Sequence, residues 1–216
     1  MYDTLSSEEM QLLKTATAFA ADEIEPYATD WELHRRVPTE TFKAAADAGL
    51  TGLLVPKLLG GRDASHVTVA KVLEELSQAC LAFAFGLWVH NNLVNVIARN
   101  GSQNQIGRYL PDMLTGQRVG AFCITEPGTG SDATAVSTLA EKVSDGWRLN
   151  GEKAWVTNSA CADVFAVYAQ TNPDKGWRGI ACFLVDGNVQ GLERGTPYTM
   201  SGGHAMGVSG LRIEDI

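Results

Sequence analysis

The spacing of apolar and polar positions changes once along this chain, near Gly116. Before it the pattern is helical. Ser6 and Glu9 form an S-x-x-E capping box. Met10, Leu13, Ala16, Phe19, Ala20 and Ile24 then recur every three or four residues until Pro26 stops the run. A short helix is predicted over Thr39 to Ala48, closed by Gly49, and Pro56 to Gly61 reads as a loop. Helices follow over His66 to Gln78 and Leu81 to Arg99, the second too apolar all round to lie on a surface. Ser102 and Gln105 cap a further helix to about Leu114.

After Gly116 the period is two. Strands are predicted over Arg118 to Thr125, Ala133 to Val143, Ala162 to Gln170, Arg178 to Asp186, Gly191 to Thr196 and Leu211 to Ile216. Asp145-Gly146 and Asn150-Gly151 read as tight hairpin turns, because both dipeptides tolerate positive φ. No helical pattern separates these strands, so a parallel sheet is disfavoured. The expectation is an α+β chain: an all-α helical domain over residues 1–117, then an antiparallel β-barrel over 118–216.

Composition narrows the function. The chain has 216 residues and a net charge of −8, with no Lys/Arg run, which argues against nucleic acid. Cys80, Cys123, Cys161 and Cys182 lie far apart, the pattern of reduced, buried thiols. The stretch MYDTLSSEEM lacks the basic flank of a signal peptide, and Cys80 to Val89 is too short to span a bilayer. A cytoplasmic protein with no membrane contact is expected. His34, His66, His90 and His204 lack ligand spacing, so no metal is expected, and His90 reads as a core or interface histidine.

Two segments carry candidate chemistry. Phe122 to Asp132 (FCITEPGTGSD) is an apolar strand running into a turn rich in glycine and hydroxyls. Leu149 to Ser159 (LNGEKAWVTNS) carries Trp155, Val156 and Thr157. Gly128-x-Gly130-x-x-Ala133 matches a loose dinucleotide fingerprint, but β-branched, alternating residues follow where a helix is required, so a Rossmann turn is rejected. Bare backbone N–H groups can still meet an anion there. On composition alone the turn could be ordinary surface, Trp155 a core indole, and Glu126 a turn or salt-bridge residue. No GxSxG elbow surrounds Ser131, so nucleophilic serine chemistry is not supported.

Taken in order, the two segments resemble the flavin-binding signatures of the acyl-CoA dehydrogenase family, and the likeness runs along the whole chain. Pro56 to Gly61 is similar to a family loop in which an acid commonly stands where Lys57 is. Met206-Gly207 and Leu211 to Ile216 are similar to a late strand of the family's middle domain. The resemblance implies FAD. The backbones of Phe122 and Ile124 and the Thr125 hydroxyl would meet the polar edge of the isoalloxazine. Gly130 and Ser131 would sit by the pyrophosphate or the substrate's pantetheine arm. Trp155, with Val156 beside it, would pack on a flavin face, and Thr157 would hydrogen-bond near N5. The helix around Trp88 to Leu93 would wall an acyl channel, or be plain core.

It further implies α,β-dehydrogenation of an acyl-CoA thioester to the trans-2-enoyl thioester, with electrons passing to an electron-transferring flavoprotein. The family's base is a glutamate in a C-terminal helical domain that has no counterpart here, so no catalytic residue is assigned. Little activity is expected from the chain alone. A homo-oligomer, or a partner chain supplying that domain, is expected. The alternatives are a monooxygenase or oxidase, an acyl-carrier-protein dehydrogenase on the same scaffold, or a non-catalytic partner subunit.

Overall fold

A computed structural model describes residues 5–216; the first four residues of the acidic N-terminal stretch lie outside the described residues. Two compact units result: residues 5–119 with Met200–Met206, and Gly120–Thr199 with Gly207–Ile216.

The helical unit holds α1 (Ser7–Phe19), α2 (Ala28–His34), α3 (Thr39–Asp47), α4 (His66–Ala79), α5 (Leu81–Asn100) and α6 (Gln103–Leu114). Both capping boxes form as the sequence predicts, at Ser6/Glu9 and Ser102/Gln105. A π-helical turn, Ala20–Ile24, carries the first apolar run up to Pro26. Helix α2 was not foreseen: it is one short element after a turn, with no side-chain cap to announce it. Its Glu32 accepts hydrogen bonds from the backbone N–H groups of His204 and Ala205, which ties Met200–Met206 to this unit.

Helix α5 runs for 20 residues and is long and apolar enough to cross a bilayer, so the segment is longer than Cys80 to Val89 suggested. Two-thirds of its most apolar window is buried, as in the central helix of a bundle. His90 on α5 is fully buried and its Nε2 lies 3.0 Å from the Met113 carbonyl, the satisfied core position expected of it. Trp88 lies at the surface of α5, its ring tilted against Phe85 with centroids 5.8 Å apart.

The second unit is a curled sheet of β1 (Gly120–Cys123), β2 (Leu139–Val143), β3 (Gly146–Val156), β4 (Val164–Gln170), β5 (Ile180–Asp186), β6 (Leu192–Arg194) and β7 (Ser209–Ile213). Its order is β1-β4-β2-β3-β7-β6, with β5 on β4. Ala121, Cys123, Leu149, Val156, Phe165, Val167, Leu211 and Ile213 form one buried core, and burying each large member is worth roughly 1.5–3 kcal/mol.

Three expectations are corrected. The sheet is mixed, not purely antiparallel: β1 runs parallel to β4, from Gly120↔Val164 to Cys123↔Val167. The crossover that parallel pairing requires is made by the signature turn and the β2–β3 hairpin instead of a helix. Asn150-Gly151 is no hairpin. It lies inside β3, where pairing passes from β2 (Leu139↔Asn150) to β7 (Gly151↔Ile213). There the glycine serves close approach, since a Cβ would lie 2.8 Å from the Thr138 Cα. Of the four thiols, only Cys80 and Cys123 are buried; Cys182 is exposed on the outer face of β5.

Candidate functional site

The site grows from the ends of β1 and β3. Alternation along β1 sends Ala121 and Cys123 into the core and leaves Phe122 and Ile124 half-buried on the opposite face. There the Phe122 ring stacks on Tyr168 of β4, with centroids 6.4 Å apart. Beyond β1 the chain folds tightly: Glu126 and Thr129 exchange both backbone hydrogen bonds, at 2.9 and 3.1 Å. Gly130 and Ser131 follow, exposed. Asp132 then caps a single 3-10 turn, Ala133–Ala135, so the helix that a Rossmann site needs is absent from this position, as the sequence implied.

The second segment meets the first. The Ala154 N–H donates to the Thr125 carbonyl at 2.8 Å, which brings Thr125 beside the ribbon that carries Trp155 and Thr157. The β3–β7 register shifts between Lys153 and Val156, and within this bulge Trp155 takes a left-handed φ of 57°. Such backbone costs a non-glycine residue about 1–3 kcal/mol, and bulges re-aim side chains beside functional sites. The result is an indole 60% exposed, propped against the Tyr198 ring at 4.7 Å. Trp155 is therefore not a core residue. The Val156 side chain is one, which leaves only its backbone to face a ligand.

Thr157 stands between two anchors. Asn158, itself left-handed, donates to the Gly120 carbonyl at 3.1 Å, and the Ser159 hydroxyl donates to the Gly207 carbonyl at 2.8 Å. Among the described residues, no protein partner engages the hydroxyl of either Thr125 or Thr157. A cleft of about 740 Å³ adjoins Ile124 and is lined by Val136, Tyr168, Trp177, Arg178 and Cys182 among others. The cleft is open and of small-molecule size, and of the residues assigned to the cofactor from sequence only Ile124 lines it.

Glu126 is not a free acid. It is 5% exposed and accepts from the backbone N–H and hydroxyl of Ser137, the same two groups of Thr138, and the Lys153 ammonium at 2.7 Å. Burial alone would raise its carboxyl, but the bond from Lys153 and those from Ser137 and Thr138 outweigh it and hold the group down to about 2. The salt-bridge reading of Glu126 holds. Lys153, Asn158, Ser159 and Tyr198 were not singled out from sequence. Local sequence carries no signal for the burial of Lys153, since Glu152 beside it is exposed.

A cofactor with a flat, electron-accepting ring and a phosphate tail can be tested against these residues. A Cβ added to Gly128 or Gly130 would meet nothing within 4 Å, so the chain's own packing does not demand glycine there. The space beside both is open. Together with two unengaged hydroxyls and an outward indole, the residues fit a flavin nucleotide.

A helical unit followed by a curled mixed sheet with this edge defines a class: the paired N-terminal and middle domains of a flavin-type dehydrogenase. Family models agree, matching the acyl-CoA dehydrogenase N-terminal domain over residues 6–117 and its middle domain over 121–216. The chain belongs to the acyl-CoA dehydrogenase family. It is 34% identical to the short-chain specific acyl-CoA dehydrogenase of Mus musculus mitochondria, across 98% of this chain and 52% of that protein. Butyryl-CoA dehydrogenase from Megasphaera elsdenii superposes with a TM-score of 0.92 at 28% identity, covering 100% of this chain and 58% of that one. PigA, solved with FAD and proline, gives 0.91 at 30% identity, covering 100% and 57%. The chain spans about half the length of the curated relatives it matches.

Proposed function

We propose that this chain binds FAD at the joined ends of β1 and β3 and forms the flavin-holding half of an acyl-CoA dehydrogenase. The observation that carries this is the Ala154-to-Thr125 hydrogen bond, which makes one edge of the two signature segments. In this reading the backbones of Phe122 and Ile124 and the Thr125 hydroxyl hold the polar edge of the ring. Trp155 covers a face, Thr157 donates near N5, and Gly130 and Ser131 take the phosphate or pantetheine arm. When bound, FAD supplies a two-electron acceptor for the hydride that leaves Cβ of an acyl thioester. The protein's part is fixed donors aimed where negative charge develops, which lowers the barrier without reorganisation.

The base that removes the α-proton is not assigned to these 216 residues: Glu126 is buried and ionised against Lys153. The family likeness supports a helical half, from the same or another chain, as its source. An electron-transferring flavoprotein serves as the acceptor, and the compartment is the cytoplasm.

The test is a titration of the flavin-free chain with FAD, followed by butyryl-CoA under anaerobic conditions. Bound flavin with shifted visible absorbance is expected, with bleaching only when a relative's helical half is added. A chain that leaves the FAD spectrum unchanged at high micromolar concentration refutes the cofactor assignment. Rapid reoxidation by O2 after bleaching points to an oxidase instead.

A further inference from the structure

We propose that Lys153 and Glu126 are positioning residues that pre-set the flavin edge before any cofactor arrives; this rests on the flavin reading above. Three consecutive residues of the first segment are each tied to the second. The Lys153 ammonium reaches the Ile124 carbonyl at 3.3 Å, the Ala154 N–H reaches the Thr125 carbonyl at 2.8 Å, and Lys153 bonds the Glu126 carboxylate at 2.7 Å. Glu126 spreads the same tie to the far side of the turn through Ser137 and Thr138.

The pair sits beside a break in the β3–β7 ladder. Just past Lys153 the β3–β7 register shifts and Trp155 turns left-handed before pairing resumes at Val156↔Ser209, so the ladder does not itself fix the backbone at Trp155. Lys153 is 1% exposed and Glu126 5%, and neither faces solvent or the cleft. A buried ion pair is a poor source of stability, since apolar residues of similar volume often match or exceed it. Its directional bonds do what an apolar pair cannot: they fix the separation of two strand ends to hydrogen-bond precision. The spacing between the Thr125 and Thr157 hydroxyls is then a property of the empty protein.

The experiment uses the 216-residue chain with and without FAD. Amide hydrogen exchange is expected to show the Ala154, Ser137 and Thr138 N–H groups protected already without FAD. FAD should add protection chiefly at residues 128–132. Lys153→Met leaves an unpaired buried carboxylate and is expected to melt lower. The double variant Glu126→Gln with Lys153→Met removes both charges and should recover most of that melting temperature while binding FAD at least tenfold more weakly. Parental FAD affinity in the double variant overturns the proposal. So does free exchange at Ala154 and Ser137 in the parent without FAD, a result that stands even if neither variant folds. A parent that never binds FAD sinks the flavin reading and the positioning role with it. Its exchange pattern still decides whether the clamp exists.

Discussion

Replacing Gly151 with alanine isolates the point where β3 leaves β2 for β7. The added Cβ would lie 2.6 Å from Thr138 Oγ1 and 2.8 Å from Thr138 Cα, with φ at +154°. Because backbone is among the close atoms, rotation of a side chain cannot relieve the contact. Overpacking costs about 1–3 kcal/mol and a glycine-only backbone about 1 kcal/mol or more, so the loss should reach about 2–4 kcal/mol. The Thr138 hydroxyl also donates to Glu126 at 2.6 Å, so any retreat loosens the carboxylate's shell. With a urea slope of about 2–3 kcal/mol/M, the midpoint should fall by roughly 1 M. Gly128→Ala and Gly130→Ala are the controls, since their Cβ atoms meet nothing within 4 Å. They should shift stability by less than about 0.5 kcal/mol and weaken FAD instead. Gly151→Ala unfolding at the midpoint of these controls would refute the account of the strand switch.

Thr157→Val should weaken FAD or slow its reduction by about 1 kcal/mol, the worth of one hydrogen bond, with the melting temperature unchanged; flavin titration and stopped-flow absorbance check it. Burial holds the His90 imidazole down to about 4, despite its bond to the Met113 carbonyl. The unfolded chain takes up this proton first, near 6.5, so the stability is whole above that pH. It falls by about 3 kcal/mol as pH drops through about 4, and urea midpoints for the parent against His90→Leu should show a slope that the variant lacks. Ser102→Ala removes an N-cap bond to Gln105 and should cost about 1 kcal/mol, read by the same unfolding curves.

The helical unit was the more legible half. Its elements follow from local signals, such as the capping boxes at Ser6 and Ser102 and the left-handed glycines at Gly49 and Gly116. Helix α2 escaped because Tyr27 offers no capping side chain and seven residues show barely two turns of pattern. In the β unit the strands were legible except that the one expected over Ala133 to Val143 starts only at Leu139, after a 3-10 turn at Ala133–Ala135, and their pairing was not. Pairing is decided by contacts between residues far apart in sequence, as in Gly120↔Val164. Asn150-Gly151 shows the ambiguity in one dipeptide. The same absence of a Cβ that permits a tight turn also permits a close pass by Thr138, and only the partner strand distinguishes the two.

The site divides in the same way. Thr125, Trp155 and Thr157 were singled out only through the resemblance that the two segments carry in order, and the structure brings those segments together along one edge. The residues that hold them were not, because Lys153, Asn158 and Ser159 read in sequence as ordinary polar positions of a ribbon. Burial changes their meaning. A lysine 1% exposed must have its charge met, and it is met by Glu126 from the other signature segment. Glu126 and Lys153, one from each motif, are therefore one feature. Each segment carries half of the tie that holds the other in place.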